Sequence, residues 1–343
     1  KPCRSHRKAA VWASCPVGFV RRIPGLIDRF QQRHPVMGFP LAVRQKYADD
    51  QGGFLAASVT YYAFFSIFPL LLVLVTLLGY ALEGNPSFQH RVLDSALADF
   101  PVIGPQIQAN VHSLRGSVAA LIIGISVAVW AGTGVALALE NALDHIWGVP
   151  IKRRANPIYA RLRALVWIVA IGGITLVGTV VGSASAFATY GPAERVLALL
   201  ISLGINLVSF LAAFRVLTSH SPSWRDVLPG AIIAAVSWEV LQTVGGYIVD
   251  RQLRHASSTY GVFAIVIGLL SWIYLAANVT LISAEVNVVH ARGLWPRSLS
   301  LLGEQALTDG DADALRQRAG VEERRADEDI HVAFDPPARA PDV

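Results

Sequence analysis

Charge and cysteine are both scarce in this sequence. Asp, Glu, Lys and Arg make up 15% of the 343 residues, whereas soluble domains carry about 25%. The only two cysteines, Cys3 and Cys15, form no CxxC pair, so neither a disulfide framework nor a zinc site is predicted. The sequence also lacks P-loop, GxSxG and HExxH motifs. We therefore predict no catalytic residues, no metal and no cofactor.

Long apolar runs take the place of those motifs. Hydrophobic residues account for 53% of the chain, and the mean hydropathy is +0.47. The run from Gln51 to Leu82 contains no ionisable side chain except tyrosine, and about 20 apolar residues suffice to cross a bilayer. We predict an all-α polytopic membrane protein with six transmembrane helices, at about 54–82, 117–139, 164–189, 196–217, 228–249 and 262–284.

The predicted organisation has three regions. Residues 1–50 form a basic N-terminal arm, 51–295 the membrane domain, and 296–343 a polar tail. Helical spacing of apolar residues predicts amphipathic interfacial helices at 22–33 and in the loop 83–116. The tail contains EERRADED and DPPARAPDV, and such polar composition predicts that it is mostly disordered.

The distribution of Lys and Arg predicts the orientation. Most of the 29 basic residues fall in the N-terminal arm, in the loop between the second and third spans, and in the tail. By the positive-inside rule, both termini are then cytoplasmic. Because topology explains the basic excess, we expect no nucleic-acid partner.

The fifth predicted span has a carboxylate near its middle. Glu239, Gln242, Thr243, Gly246 and Asp250 lie on one helix face. A carboxylate at the bilayer centre costs at least about 2–3 kcal/mol, so such residues usually face a bundle interior or water. Two interpretations remain open. Glu239 either lines a polar cavity or holds a neighbouring helix through a structural hydrogen bond.

Polar residues on other spans extend this candidate polar cavity. Asn206 is mid-span in the fourth helix, at the depth of Glu239, and the first span carries tyrosines before a proline that permits a kink. The candidate residues are Glu239, Gln242, Thr243, Asn206, Tyr61, Tyr62, Pro69 and Asn278. For polar residues at the cytoplasmic ends of spans, a structural role is expected; these are Glu140, Asn141 and Glu285.

Glycines on the third predicted span form a face of GxxxG type. Gly172, Gly173, Gly178 and Gly182 allow another helix to approach closely. That helix belongs either to this chain or to a second copy, so the Gly178/Gly182 face is a candidate homo-oligomer contact.

Several segments carry a family resemblance. ASVTYYAFFSIFPLLLVLVTLLG (57–79), ALALENALDHIWGVP (136–150), SWEVLQTVGGYIVD (237–250) and STYGVFAIVIGLLSWIYLAANVTLISAEVN (258–287) resemble the YihY/BrkB family. The resemblance covers about 40–295 and implies a six-span protein of the bacterial cytoplasmic (inner) membrane. Family members have been linked to serum resistance and, in one branch, to lipid export. An older ribonuclease BN label is generally regarded as misassigned, and the family supplies no catalytic residues to transfer.

We therefore expect a transporter or transport-assisting protein for a lipid or other amphiphile, with membrane lipids as partners. A non-transporting assembly or scaffold protein is the alternative. A tRNA-processing ribonuclease is disfavoured, because phosphodiester hydrolysis generally uses metals held by grouped carboxylates or histidines, and no such group is evident.

Overall fold

The computed structural model describes residues 35–81, 118–154, 156, 158–170, 173, 192–255, 261–298 and 308–334. Within these residues the regular structure is helical and contains no strand. The helices are α1 (Pro35–Asp49), α2 (Gly52–Ala81), α3 (Val118–Ile146), α4 (158–170), α5 (Pro192–Val216), α6 (Trp224–His255), α7 (Gly261–Arg292) and α8 (Asp309–Gly320), with a 3₁₀ turn at Ile151–Arg153.

Five helices of the described residues are long and apolar enough to cross a membrane. The segments are Gly52–Leu70, Gly124–Ile146, Leu199–Val216, Trp224–Gly245 and Val266–Arg292. They correspond to the first, second, fourth, fifth and sixth predicted spans, and the all-α prediction is confirmed. The third predicted span, 164–189, begins in α4, and most of it lies outside the described residues. The expected helices at 22–33 and 83–116, together with Gly178 and Gly182, lie wholly outside the described residues.

Helix α7 is central among the described helices. It contacts α1, α2, α3 and α6, while α3 packs beside α2 and α5 packs beside α6. The α2–α3 pair therefore contacts α7 through both of its helices, and the α5–α6 pair contacts α7 mainly through α6. Large apolar side chains such as Trp130, Val169 and Phe263 point outward, as expected where lipid is the solvent.

The buried core lies mainly towards one end of the bundle. Here the last turns of α3, α5 and α7 meet the first turns of α2 and α6, with Leu143, Phe214, Val227, Leu281 and Val288 fully or almost fully buried. We call this the polar end, because buried charged residues also collect there. It comprises the helix ends that the basic residues predict to be cytoplasmic.

Glycine allows α6 and α7 to touch at the polar end. A Cβ atom built on Gly230 would lie 2.0 Å from the carbonyl oxygen of Ser283, which no side chain can tolerate without backbone movement. The Gly230 N–H donates to Asn287 Oδ1 at 2.7 Å. Close packing and this hydrogen bond together fix the α6–α7 crossing.

Helix α2 continues through Pro69, which lies inside the Gly52–Ala81 helix. Proline has no N–H to donate to the carbonyl of Phe65, four residues earlier. The proline therefore removes one helical hydrogen bond without ending the helix.

Residues 35–49 belong to the segment predicted as a basic N-terminal arm, and in the structure they pack against the bundle. They form α1, in which Ala42 and Val43 are part of the buried core. Phe39 packs edge-on against Trp295, with ring centroids 5.3 Å apart. Residues 1–50 are basic on average, but residues 35–43 within them carry no charge and contribute apolar side chains to the core.

The expectation of a disordered tail is wrong for residues 308–334. Helix α8 begins with a capping box in which Thr308 and Asp311 satisfy each other's backbone N–H groups. Charges of residues 308–334 pair with residues outside that segment, since Asp311 binds Arg297 and Glu323 binds Lys152. Composition predicted disorder because it counts charges without showing that they have specific partners.

The tail is also held by its backbone. The N–H groups of Ile151 and Lys152 donate to the carbonyls of Val321 and Glu323, at 3.2 and 2.9 Å. Gln317 donates to the last carbonyl of α3, on Ile146. The segment 308–334 thus caps the polar end around the end of α3.

Candidate functional site

The mid-span carboxylate joins α6 to α5. Glu239 Oε1 accepts a hydrogen bond from Asn206 Nδ2 at 2.8 Å and another from the hydroxyl of Ser202. The expected approach of Glu239 to Asn206 is therefore observed. Sequence reasoning missed Ser202, although it precedes Asn206 by one helical turn and so shares its face.

The rest of the Glu239 stripe contributes less. The hydroxyl of Thr243 donates to the backbone carbonyl of Glu239 at 2.9 Å, within the same helix, and Thr243 is exposed. Gln242 is half-buried on the next turn. The side chains of Gly246 and Asp250 lie outside the described part of α6. The described stripe is therefore a helix-to-helix link with polar neighbours.

A crevice of about 450 Å³ lies between α2 and α3. Apolar, hydroxyl, amide and guanidinium groups line it. Among them are Ser58 and Tyr62 of α2, Trp130, Gly134 and Asn141 of α3, and Arg161 of α4. Of the residues predicted for a polar cavity, Tyr62 is the one that lines this crevice.

Small residues on α3 make room for the crevice. Ala131, Gly134 and Ala138 line it at helical spacing. A Cβ atom on Gly134 would lie 3.1 Å from the ring of Tyr62, closer than most real contacts. The small-residue spacing was visible in the sequence but was not used to predict this site.

The crevice carries an arginine near the polar end. Arg161 is exposed and forms no ion pair with another described residue. The neighbouring Arg163 instead binds Glu140, which is almost completely buried. The two arginines of α4 therefore differ in role: one ties α4 to α3, and the other faces the crevice.

The remaining candidate residues lie elsewhere. The ring of Tyr61 is exposed and contacts Tyr62 and Phe65, with centroids 5.5 and 4.8 Å away. Pro69 is almost two turns beyond Tyr62 and is not among the residues that line the crevice. Asn278 accepts a hydrogen bond from Tyr47 and so joins α7 to α1. The candidate residues therefore do not line one cavity: Glu239 and Asn206 join α5 to α6, Tyr62 lines the crevice, and Asn278 joins α7 to α1.

A second cavity, of about 500 Å³, lies at the polar end between the bundle and the tail. Asp49, Asp50 and His145 line it from the bundle, and Arg318 and Glu322 line it from the tail. Asp50 also belongs to a buried ionic cluster with Lys46 and Glu285. Lys46 and Asp50 were not predicted as site residues, because they fall in the segment predicted as a basic N-terminal arm.

Two titrating groups outside the spans fasten the tail. Burial acts to raise the pKa of Asp311, but hydrogen bonds from Ser298, Thr308 and Arg297 outweigh it and hold the pKa below its usual value. The hydrogen bond from Lys152 is the main cause of the lowered pKa of Glu323. Both carboxylates are therefore held in their charged form.

The described residues contain no group of three or more His, Cys, Asp or Glu side chains that could hold a metal ion. The described features are five membrane-length helices, a crevice open at the bundle surface and a capped polar end. Together they define a polytopic α-helical membrane protein.

Comparison with known families gives a closer assignment. The family model of virulence factor BrkB matches residues 43–300. The chain therefore belongs to the BrkB family, which confirms the resemblance read from the sequence. The tail segment 308–334 lies beyond the matched region.

Individual relatives are distant. The inner membrane protein YhjD of Escherichia coli K12 is 23% identical over 274 residues, covering 74% of this chain and 81% of that protein. The ribonuclease-like protein YfkH of Bacillus subtilis 168 is 24% identical over 273 residues, covering 76% and 98%. The UPF0761 membrane protein RSc1559 of Ralstonia nicotianae is 31% identical over 198 residues, covering 54% and 43%. No solved structure matches the chain.

Proposed function

We propose that this chain is an inner-membrane transporter, or transport-assisting protein, for an anionic lipid or similar amphiphile. The observation that carries the proposal is the α2–α3 crevice, which combines apolar walls with the Arg161 guanidinium, a group near the polar end that forms no ion pair with another described residue. An amphiphile has the matching distribution of groups, with an apolar chain and a charged head.

The walls suit an acyl chain. Leu55, Trp130 and Leu137 contribute apolar surface to the crevice, and each CH₂ group transferred from water to such surroundings is worth about 0.8 kcal/mol. Inside a bilayer that gain is small, because lipid tails are equally apolar. Specificity would therefore come from the polar groups.

The polar groups suit an ester-linked anionic head. Ser58, Tyr62 and Asn141 offer hydroxyl and amide groups along the crevice, and Arg161 lies towards its polar end. A guanidinium binds phosphate or carboxylate through two parallel hydrogen bonds. Arg161 would hold the head, and the hydroxyl and amide groups would bind the region between head and chain.

The proposed orientation places the polar end and both termini in the cytoplasm. Supporting this, the basic residues 152–154, 161 and 163 lie at the polar end, together with the docked tail. One relative is also named an inner membrane protein. In that orientation Arg161 would meet lipid heads of the cytoplasmic leaflet.

Crosslinking tests the binding site. The full-length protein is placed in nanodiscs that contain an anionic phospholipid with a photoactivatable acyl chain, and the crosslinked residues are mapped by mass spectrometry. Crosslinks are expected to concentrate on Leu55, Trp130 and Leu137. Gly134→Leu should fill the crevice and reduce them. The matched control is Gly204→Leu on α5, where an added Cβ meets no atom within 4 Å. Equal crosslinking in both variants would contradict the proposed site.

The charge is tested separately. Arg161→Gln should reduce crosslinking to the anionic lipid while leaving a zwitterionic analogue unaffected, and Arg153→Gln, also exposed at the polar end, is the control. Movement of a fluorescent anionic lipid across proteoliposome membranes then tests transport. Binding at the crevice without any such movement would favour the scaffold alternative.

A further inference from the structure

The cluster at the polar end buries two carboxyl groups with one ammonium group. Lys46 binds Asp50, donates to the carbonyl of Ile146 at 3.1 Å, and lies 3.8 Å from Glu285 Oε2. The exposed fractions of Lys46, Asp50 and Glu285 are 2%, 4% and 0%. One ammonium group therefore serves two carboxyl groups in a place that water hardly reaches.

Glu285 is the member of the cluster without a donor. Neither of its carboxyl oxygens accepts a hydrogen bond from any described residue, and 3.8 Å to Lys46 exceeds hydrogen-bond length. An ionised carboxylate that is fully buried without donors is strongly unfavourable. The Asp50 carboxyl lies within reach of Glu285, so a proton between the two would supply the missing hydrogen bond.

The surrounding charges differ for the two carboxyl groups. Arg292 attracts Asp50 and is bound to the carbonyl of Trp147. Glu285 instead faces Asp49, a further carboxylate, which is paired with Arg297. Helix α6 meets α7 through Gly230, which carries no titratable group. The other groups around the cluster are Tyr47 of α1, His145 of α3, Arg154, and Arg318 and Glu322 of the tail.

We propose that Lys46, Asp50 and Glu285 form a proton-binding site, in which Glu285 carries a proton at neutral pH and donates it in a hydrogen bond to Asp50. The bound proton gives the cluster of three a net charge of zero. This site lies at the α1–α7 contact rather than at the α2–α3 crevice, and it does not depend on the transport proposal.

The polar-end cavity gives the proton a route. Asp50 lines the cavity of about 500 Å³ beneath the tail, and Glu285 lies behind it. Exchange between water and the site therefore passes through Asp50, with His145 on the cavity wall beside it.

Infrared difference spectroscopy of the full-length protein in nanodiscs tests the site. A protonated carboxyl has a carbonyl stretching band that an ionised one lacks, and the band shifts in D₂O. We expect such a band at neutral pH and its loss in Glu285→Gln, which keeps the shape of a neutral acid and should fold normally. Glu322→Gln, an exposed carboxyl on the same cavity, should leave the band unchanged. A folded Glu285→Gln protein with the full band would overturn the proposal.

Two further variants should move the band in opposite directions. Lys46→Met removes the ammonium, so Asp50 should also take a proton and the band should grow. Asp50→Asn leaves Lys46 with Glu285 alone, so Glu285 should ionise and the band should disappear. If Glu285→Gln fails to fold, the Lys46→Met and Asp50→Asn variants test the site instead. An unchanged band in both variants would refute the proposal.

Discussion

Asn206 on α5 donates a hydrogen bond to Glu239 on α6, with Nδ2 and Oε1 2.8 Å apart. Ser202 donates to the same oxygen from one turn earlier. Two spans are thus joined within the membrane by a single carboxyl oxygen. Both hydrogen bonds need only an oxygen acceptor at this position. Their contribution can therefore be tested separately from that of the negative charge of Glu239.

Replacing Glu239 tests that separation. Glu239→Gln keeps an oxygen acceptor, so we expect the free energy of unfolding to change by less than about 1 kcal/mol. Glu239→Leu leaves the Asn206 amide without its acceptor and should cost about 1–2 kcal/mol. Thermal unfolding in detergent micelles gives the comparison. The double variant Glu239→Leu/Asn206→Leu should lose less than the sum of the single losses, and strict additivity would contradict a direct bond.

Gly230 should be intolerant of any side chain. In Gly230→Ala the new methyl would overlap the Ser283 carbonyl, where the ideal Cβ position is 2.0 Å from the oxygen. Forced separation of α6 and α7 is expected to cost about 1–3 kcal/mol. Gly245→Ala on the same helix is the control, since its Cβ would make an ordinary 3.9 Å contact with Trp272. Similar unfolding temperatures for the two variants would show that the α6–α7 contact is looser than described.

Docking of the tail should depend on Asp311. Its pKa is held below the usual aspartate value, so its contribution to docking is present above about pH 4. That contribution is lost as the pH falls through the lowered pKa. Asp311→Asn should weaken docking at neutral pH by roughly 1–3 kcal/mol and remove this part of the acid dependence. Hydrogen exchange of the α8 amides measures both effects.

The control for the tail is Asp313→Asn, which alters an exposed ion pair with Arg316 on the same helix. Exposed pairs of this kind contribute little, so α8 amides should exchange as in the parent protein. If Asp311→Asn exchanged no faster than Asp313→Asn, the buried pair with Arg297 would not be what holds the tail.

The proposed orientation, with both termini in the cytoplasm, predicts which residues an external reagent reaches. With Cys3 and Cys15 replaced by serine, Asn85→Cys, in the loop predicted after the first span, should react with an impermeant maleimide added to intact cells. Arg225→Cys, exposed at the start of α6, should react only after the membrane is permeabilised. Labelling of Arg225→Cys from outside would reverse the topology and place Arg161 in the other leaflet.

The contact between Glu239 and Asn206 was predictable because both residues are polar exceptions at the middle of apolar spans. Two such groups at the same depth have few other partners in lipid. The α2–α3 crevice was only partly predictable. Tyr62 was identified, but the room beside it depends on Gly134, and a small residue in an apolar run equally predicts close packing.

Hydropathy by itself determined the class of protein and the approximate ends of the five membrane-length helices described, since the cost of exposing polar groups to lipid acts locally along each segment. The tertiary structure decided what the charged residues do. Lys46 and Asp50, one helical turn apart, meet Glu285 from the far end of the membrane domain, and Asp311 in the polar tail binds Arg297. Pairings between separate segments depend on how the helices pack against one another. The composition of a single segment does not contain that information.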